Sequence, residues 1–311
     1  MRAIVLCASL WFSLCAFAVE QQPHKILFLG DSFTVGTGLG KGHEQEAFPY
    51  QLIKQLKANK LAIDTPTLYA VDGDTTKHLL GALNASEPQS NPENPSYRAD
   101  HYSLVVLSIG INDLFRGHSL EDYQLHFDAL LNRAIHFAND DLSRVIVLSI
   151  PAWDASPSVF DKSGTDYRAK KYAMVRKNSQ EISVPITAIN MDKNGKITLN
   201  LQNNELNDKI QAAKNYNTQM GIANEIDRFN QAALDVIKAH NAASEGNGEI
   251  LFVDLTELTR KQATDPKTGK PILALFAPDG IHYSGKMYQR WADVVYPTVY
   301  QTLENNKRAP K

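Results

Sequence analysis

The chain has 311 residues, with 32 basic and 34 acidic side chains and a formal charge of −2. So even a balance, with no cluster of Lys or Arg, lacks the electrostatic footprint of a nucleic-acid-binding protein. Its two cysteines, Cys7 and Cys15, both fall in the first segment, leaving the rest without a disulfide, a thiol nucleophile or a thiolate metal site.

That first segment reads as an export signal. Met1-Arg2 supplies a positive start, Ala3 to Phe17 is apolar, and Ala16-Phe17-Ala18 gives the small-x-small pattern of a cleavage site. The apolar run falls short of the roughly 20 residues of a membrane span, the requirement for the alternative, a retained anchor. Leu6 and Leu14 precede the cysteines where a lipoprotein would carry a small residue. Cleavage after Ala18, with a mature chain of 19–311 that is periplasmic or secreted, is the expectation. Its balance would be one charge more negative through loss of Arg2.

The mature chain alternates short apolar runs with helical patterns. Lys25–Leu29 predicts a strand buried on both faces, and Glu46–Ala58 a helix with Phe48, Leu52, Ile53 and Leu56 on one side. Thr67–Val71 follows as a strand and Thr75–Leu83 as a short helix capped by Asp74. Glu87–Ser96, rich in Pro, Asn and Ser, reads as a surface loop. Ser103–Ile109 is the strongest strand signal; Leu120–Phe137 is a helix, and Arg144–Ile150 a strand stopped by Pro151. After a gap come a helix over Ile222–His240, a strand over Ile250–Val253 and a closing helix over Ser284–Leu303. Such alternation predicts an α/β fold: a five-stranded parallel sheet with helices on both faces, joined by right-handed crossovers. Ligands of such sheets collect at the carboxyl ends of the strands.

The gap, about 156–221, breaks this rhythm. Ile186–Asn190 and Lys196–Leu201 alternate around Asp192-Lys193-Asn194-Gly195, and Asn-Gly between alternating runs signals a hairpin. An insertion emerging after the fourth sheet strand lies near the ligand edge. It serves either as a lid over the substrate or as a solvated elaboration or oligomer contact.

Ser32, Gly73 and Asn112 each follow a predicted strand directly, which brings three remote segments to one edge. Ser32 is a nucleophile if a base can reach it. Asp279-Gly280-Ile281-His282 offers His282 as that base and Asp279 to orient its ring. Alone, each residue has a plainer reading: Ser32 a helix cap, Asp279-Gly280 a turn, Asn112-Asp113 a helix start. Their joint placement favours chemistry, with an oxyanion hole from the Ser32 N–H, the Gly73 N–H and the Asn112 amide.

These residues resemble the SGNH hydrolases, the GDSL esterase/lipase family. The first block appears as Gly30-Asp31-Ser32-Phe33, with Phe33 where Leu is usual, a change expected to affect packing and not chemistry. The second-block glycine matches Gly73, Gly-x-Asn-Asp appears as Gly110-Ile111-Asn112-Asp113, and Asp-x-x-His as Asp279 to His282. All occur in family order across nearly the whole mature chain. The resemblance implies a flavodoxin-like three-layer sandwich with Ser32 as nucleophile, His282 as base and Asp279 as orienter. It implies Ser32, Gly73 and Asn112 as oxyanion donors, and no metal or other cofactor. Asp31 and Asp113 are expected to hold this framework by hydrogen bonds. The insertion is absent from the compact bacterial thioesterase/lysophospholipase members that Gly73-Asp74-Thr75 resembles, so their substrate preference does not carry over.

The expected function is an exported serine esterase acting through an acyl-enzyme. The alternatives are an O-acetyl esterase of a cell-wall or extracellular glycan, and a catalytically silent binder on the same fold. The substrate, a lipid-like, short-chain or glycan ester, stays open, as does the oligomeric state. Weaker motifs add nothing: Gly36-x-Gly38-x-Gly40 lacks dinucleotide-fingerprint spacing, and Asp192-x-Asn194-Gly195 lacks the later calcium ligands. No zinc pattern occurs, and the sequon Asn84-Ala85-Ser86 matters only in a glycosylating host.

Overall fold

The computed structural model describes residues 22–85, 101–159, 189–191, 197–199 and 219–306. The expected signal segment, the Glu87–Ser96 loop and most of the 156–221 insertion lie outside the described residues. Five strands form one parallel sheet: β1 (Ile26–Gly30), β2 (Thr67–Ala70), β3 (Leu104–Ser108), β4 (Val145–Leu148) and β7 (Leu251–Val253), in the order β2-β1-β3-β4-β7. β1, β3 and β4 are buried along their whole length. Their uninterrupted Ile, Val and Leu runs suit a strand covered on both faces.

Two groups of helices supply that cover. α2 (Phe48–Ala58) packs along α8 (Gly285–Asn306), while α3 (Thr76–Ala85), α5 (Leu120–Phe137) and α6 (Gln219–Ala243) pack in succession. α2 turns Phe48, Leu52, Ile53 and Leu56 inward, and α5 turns in Tyr123, Phe127, Leu130 and Leu131. Each such side chain contributes about 1.5–3 kcal/mol when fully buried. The result is the expected three-layer, flavodoxin-like sandwich. Strand order reverses between β1 and β3, and the crevice at that switch, above the carboxyl ends, is where such sheets hold ligands.

Some details differ from the sequence expectation. α2 starts at Phe48 and not Glu46, because Glu44–Glu46 forms a separate tight turn and Pro49 favours the first helical turn. The cap of α3 is Thr75 and not Asp74: the Thr75 hydroxyl accepts the His78 N–H at 3.3 Å and its carbonyl the Leu79 N–H at 3.0 Å. Three short helices were not expected as such: α1 (Ser32–Val35), α4 (Ile111–Arg116) and α7 (Leu255–Ala263). α7 starts at Asp254, whose carboxylate accepts the Glu257 N–H at 3.1 Å. From the insertion, β5 (Ile189–Met191) and β6 (Ile197–Leu199) pair antiparallel, Ile189 opposite Leu199. No helix among the described residues is long and apolar enough to cross a membrane.

Candidate active site

Register sets the first half of the site. Gly30 on β1 lies beside both Ala70 on β2 and Ser108 on β3, so the three strands end level with one another. Ser32, Gly73 and Asn112 follow within a few residues of that line. After β1 the buried Asp31 caps α1, its side-chain oxygen accepting the Phe33 N–H at 3.0 Å. Gly36, in the left-handed region, closes the turn with its N–H on the Ser32 carbonyl. Ser32 is therefore the first residue of a one-turn helix, and its own N–H has no intrahelical partner.

The second half comes from the other end of the chain. Phe276 and Tyr283 bridge antiparallel, and the Ala277 N–H donates to the His282 carbonyl at 2.8 Å, closing a tight loop. Within it one Asp279 oxygen accepts the N–H groups of Ile281 and His282, at 2.9 and 3.0 Å. The other lies 2.7 Å from His282 Nδ1, and His282 Nε2 lies 2.8 Å from Ser32 Oγ. An ionised carboxylate only accepts, so Nδ1 carries the ring proton and Nε2 is left to accept from the serine hydroxyl. Partial burial works against the Asp279 charge. The His282 ring and the two loop N–H groups outweigh it, holding the carboxyl below its usual range.

A carboxylate, an imidazole and a hydroxyl in one hydrogen-bonded line can move a proton off the hydroxyl as its oxygen attacks an electrophile. The Phe33 ring lies 4.9 Å from the His282 ring and also contacts Tyr283 and Trp291. The packing expected of Phe33 thus extends to the imidazole itself.

Gly73 and Asn112 stand on neighbouring turns. The Asp74 N–H donates to the Val71 carbonyl at 3.2 Å, and Gly73, with φ of +80°, is the third residue of this turn. The Asp72 backbone is outside the positive-φ region, which makes the turn type II, with φ > 0 required only at Gly73. No acceptor among the described residues engages the Gly73 N–H. The Asn112 amide donates one hydrogen to the Asp74 carbonyl at 3.0 Å, leaving a second for a ligand. Asp113, fully buried, accepts the Thr76 N–H at 2.8 Å and its hydroxyl at 2.7 Å, anchoring the start of α3. Asp31 behaves differently from a charged anchor. Burial pushes its carboxyl up to about 8 against the Phe33 N–H bond, and the carboxylates of Asp113, Asp74 and Asp72 add to the rise.

Three contributors escaped the sequence reading. Gly38 approaches so closely that a Cβ there would stand 3.0 Å from an Asp279 oxygen. The Ser158 N–H donates to the Gly280 carbonyl at 2.8 Å, tying the root of the insertion to the Asp279 loop. Arg116 donates to the Gly73 carbonyl at 2.6 Å. Only Arg116 left a signal, since Asn112 and Arg116 are four apart and share a helix face. Among the described residues no group of three or more His, Cys, Asp or Glu is placed to hold a metal ion.

The family model described as GDSL-like lipase/acylhydrolase matches residues 26–295. No curated protein matches the chain. Among solved structures, a GDSL-like lipase from Parabacteroides merdae superposes with a TM-score of 0.50 at 13% identity, covering 90% of this chain and 96% of that one. The lipase/acylhydrolase from Enterococcus faecalis gives 0.49 at 16% identity, over 89% of this chain and 96% of that one. The psychrotrophic esterase EstA from Pseudoalteromonas sp. gives 0.49 at 14%, over 91% and 100%. At such identities the likeness is one of fold.

Proposed function

We propose, from the premise that the chain belongs to the GDSL-like lipase/acylhydrolase family and is an ester-hydrolysing enzyme, that it works as an exported serine esterase through a Ser32–His282–Asp279 triad. The observation that carries this reading is the continuous line from Asp279 to His282 at 2.7 Å and from His282 to Ser32 at 2.8 Å. In the reaction, Ser32 Oγ forms a bond to the ester carbonyl carbon while His282 Nε2 takes its proton. Charge on the carbonyl oxygen is met by the Ser32 N–H, the Gly73 N–H and the second hydrogen of the Asn112 amide. His282 then gives its proton to the leaving alcohol as the ester C–O bond breaks, forming an acyl-enzyme. Water attacks that acyl group with His282 again as base, releasing the acid and restoring Ser32. Asp279 keeps the ring in the one tautomer that can do this. Export rests on the apolar first segment and its Ala16-Phe17-Ala18 site.

The test is hydrolysis of para-nitrophenyl acetate, butyrate and a long-chain ester by the mature chain beside Ser32→Ala, with a fluorophosphonate probe on both. Turnover and labelling that vanish together in Ser32→Ala are expected. Labelling that persists in that variant would remove Ser32 from the nucleophile's role. A profile confined to acetyl esters would direct the search to O-acetylated glycans, and a rise with chain length to lipid esters.

A further inference from the structure

The turn after β2 is gripped from one short helix. α4 reaches it with three side chains: Asp113 holds Thr76, Asn112 the Asp74 carbonyl, and Arg116 Nη2 the Gly73 carbonyl at 2.6 Å. The first grip is buried and the second half-buried, whereas Arg116 works from the exposed end of the helix.

Glycine populates both signs of φ about equally, so nothing in Gly73 itself keeps it at +80°. The bond that closes its turn, from the Asp74 N–H to the Val71 carbonyl, is long at 3.2 Å. The placing of the Gly73 N–H therefore depends also on what holds the neighbouring carbonyls. A charge-assisted bond is shorter and about twice as strong as a neutral one, and the Arg116 bond is of that kind. A Cβ on Gly73 would meet Arg116 Nη2 at 3.3 Å, so the guanidinium also walls the turn on that side.

We propose that Arg116 is a positioning residue for ester hydrolysis: by holding the Gly73 carbonyl it keeps the Gly73 N–H aimed at the developing oxyanion. The inference rests on the assignment of that N–H to the oxyanion hole. Arg116 need touch neither the ester nor the reacting atoms. Because it is exposed, water can take its place at the carbonyl after truncation, and folding should scarcely change. Catalysis is less forgiving: a misplacement of about 1 Å costs about 10²-fold, and outright loss of one oxyanion donor about 10²–10³-fold.

The experiment compares wild type, Arg116→Ala and Arg116→Lys on two esters, the neutral para-nitrophenyl acetate and the anionic mono-para-nitrophenyl succinate. Thermal unfolding is followed in parallel. For Arg116→Ala a kcat about 10- to 100-fold lower on both esters is expected, with KM within about twofold of wild type. Partial rescue by dilute guanidinium chloride, but not by sodium chloride of equal ionic strength, is also expected. Lysine, with one donor where arginine has a fork, should fall between. Should Arg116→Ala fail to fold, the kcat and KM of Arg116→Lys decide. Wild-type kcat in both variants would overturn the proposal. So would a defect confined to KM for the succinate ester, which would make Arg116 a substrate-anion site. Fluorophosphonate labelling of Ser32 in wild type is read first. Its absence would sink the serine-esterase assignment and the proposal with it, while labelling with an indifferent Arg116→Ala sinks the proposal alone.

Discussion

Replacing Asp31 by asparagine is expected to stabilise the protein increasingly as pH rises above about 4 and to leave it unchanged below that. Asp31 is 2% exposed, and burial, with help from neighbouring carboxylates, pushes its carboxyl from 3.8 up to about 8. Between those values the folded protein keeps a proton that the unfolded chain has released. The unfolded state thus binds fewer protons, and stability must fall as pH rises through the window from about 4 to 8. Each pH unit is worth about 1.4 kcal/mol, so the accumulated loss is on the order of 5 kcal/mol by pH 8, and it stops growing there. Asparagine keeps the size of the side chain and its capping oxygen for the Phe33 N–H, and it has no charge to bury. Urea unfolding of both proteins from pH 4 to 9 isolates the effect, because contributions from groups that do not interact with Asp31 cancel in the difference. The two should coincide near pH 4 and separate steadily, with Asp31→Asn the more stable. Parallel profiles, or a less stable variant at pH 9, would show that Asp31 is ionised in the fold and refute the burial argument.

Gly38→Ala should lower kcat for para-nitrophenyl acetate by about 10²-fold in a folded protein, the loss typical of a misplacement near 1 Å. The added Cβ would stand 2.7 Å from Ala277 Cβ and 3.0 Å from Asp279 Oδ2, at a φ of +89°. Unchanged kinetics would mean that the loop yields without shifting the imidazole. Asp279→Asn should keep its two loop N–H bonds through the amide oxygen and turn an N–H toward His282 Nδ1. That forces the proton onto Nε2, and kcat should fall about 10⁴-fold with little change in KM; a loss under tenfold would remove Asp279 from the triad. Asn112→Ala should cost about 10²–10³ in kcat, read in the same assay, and an unaffected rate would take its amide out of the oxyanion hole.

Much of the frame is legible in the chain because its central strands are buried on both faces. Ile26 to Leu29, Leu104 to Leu107 and Val145 to Leu148 are unbroken apolar runs, the pattern of strands covered on both faces, and their alternation with helical patterns points to a parallel sheet. The polar face of α7 hid its nine residues, although Asp254-Leu255-Thr256-Glu257 carried a capping pattern. At α3 the sequence offers two adjacent acceptors, Asp74 and Thr75. Tertiary structure chooses: Asp113 takes the Thr76 N–H, and Thr75 turns its hydroxyl to His78. The same division holds in the site. Ser32, Asp279 and His282 stand in local patterns whose chemistry can be read from residue types. Gly38 matters only through what lies opposite it, and residue type says nothing of that; for Arg116 the four-residue spacing from Asn112 gives the helix face but not the Gly73 carbonyl it holds.

The line from Asp279 to Ser32 joins residues 250 positions apart at its final step, so its 2.8 Å has to be imposed by packing. One side chain does much of this. Trp291 on α8 contacts Phe33 beside Ser32, Phe48 on α2 and Tyr283 beside His282, with ring centroids 6.3, 6.1 and 5.2 Å away. Gln51 on α2 adds a polar tie to the Gly285 carbonyl, three residues beyond His282. Ser32 and His282 are thus clamped by the α2–α8 layer. The oxyanion turn is gripped by α4, which packs against α6 in the other helical group. Under the proposed function, substrate at the switch between β1 and β3 would lie between two separately braced walls. Such bracing would hold Ser32, His282 and the Gly73 turn in place before substrate arrives, which is what preorganised catalysis requires.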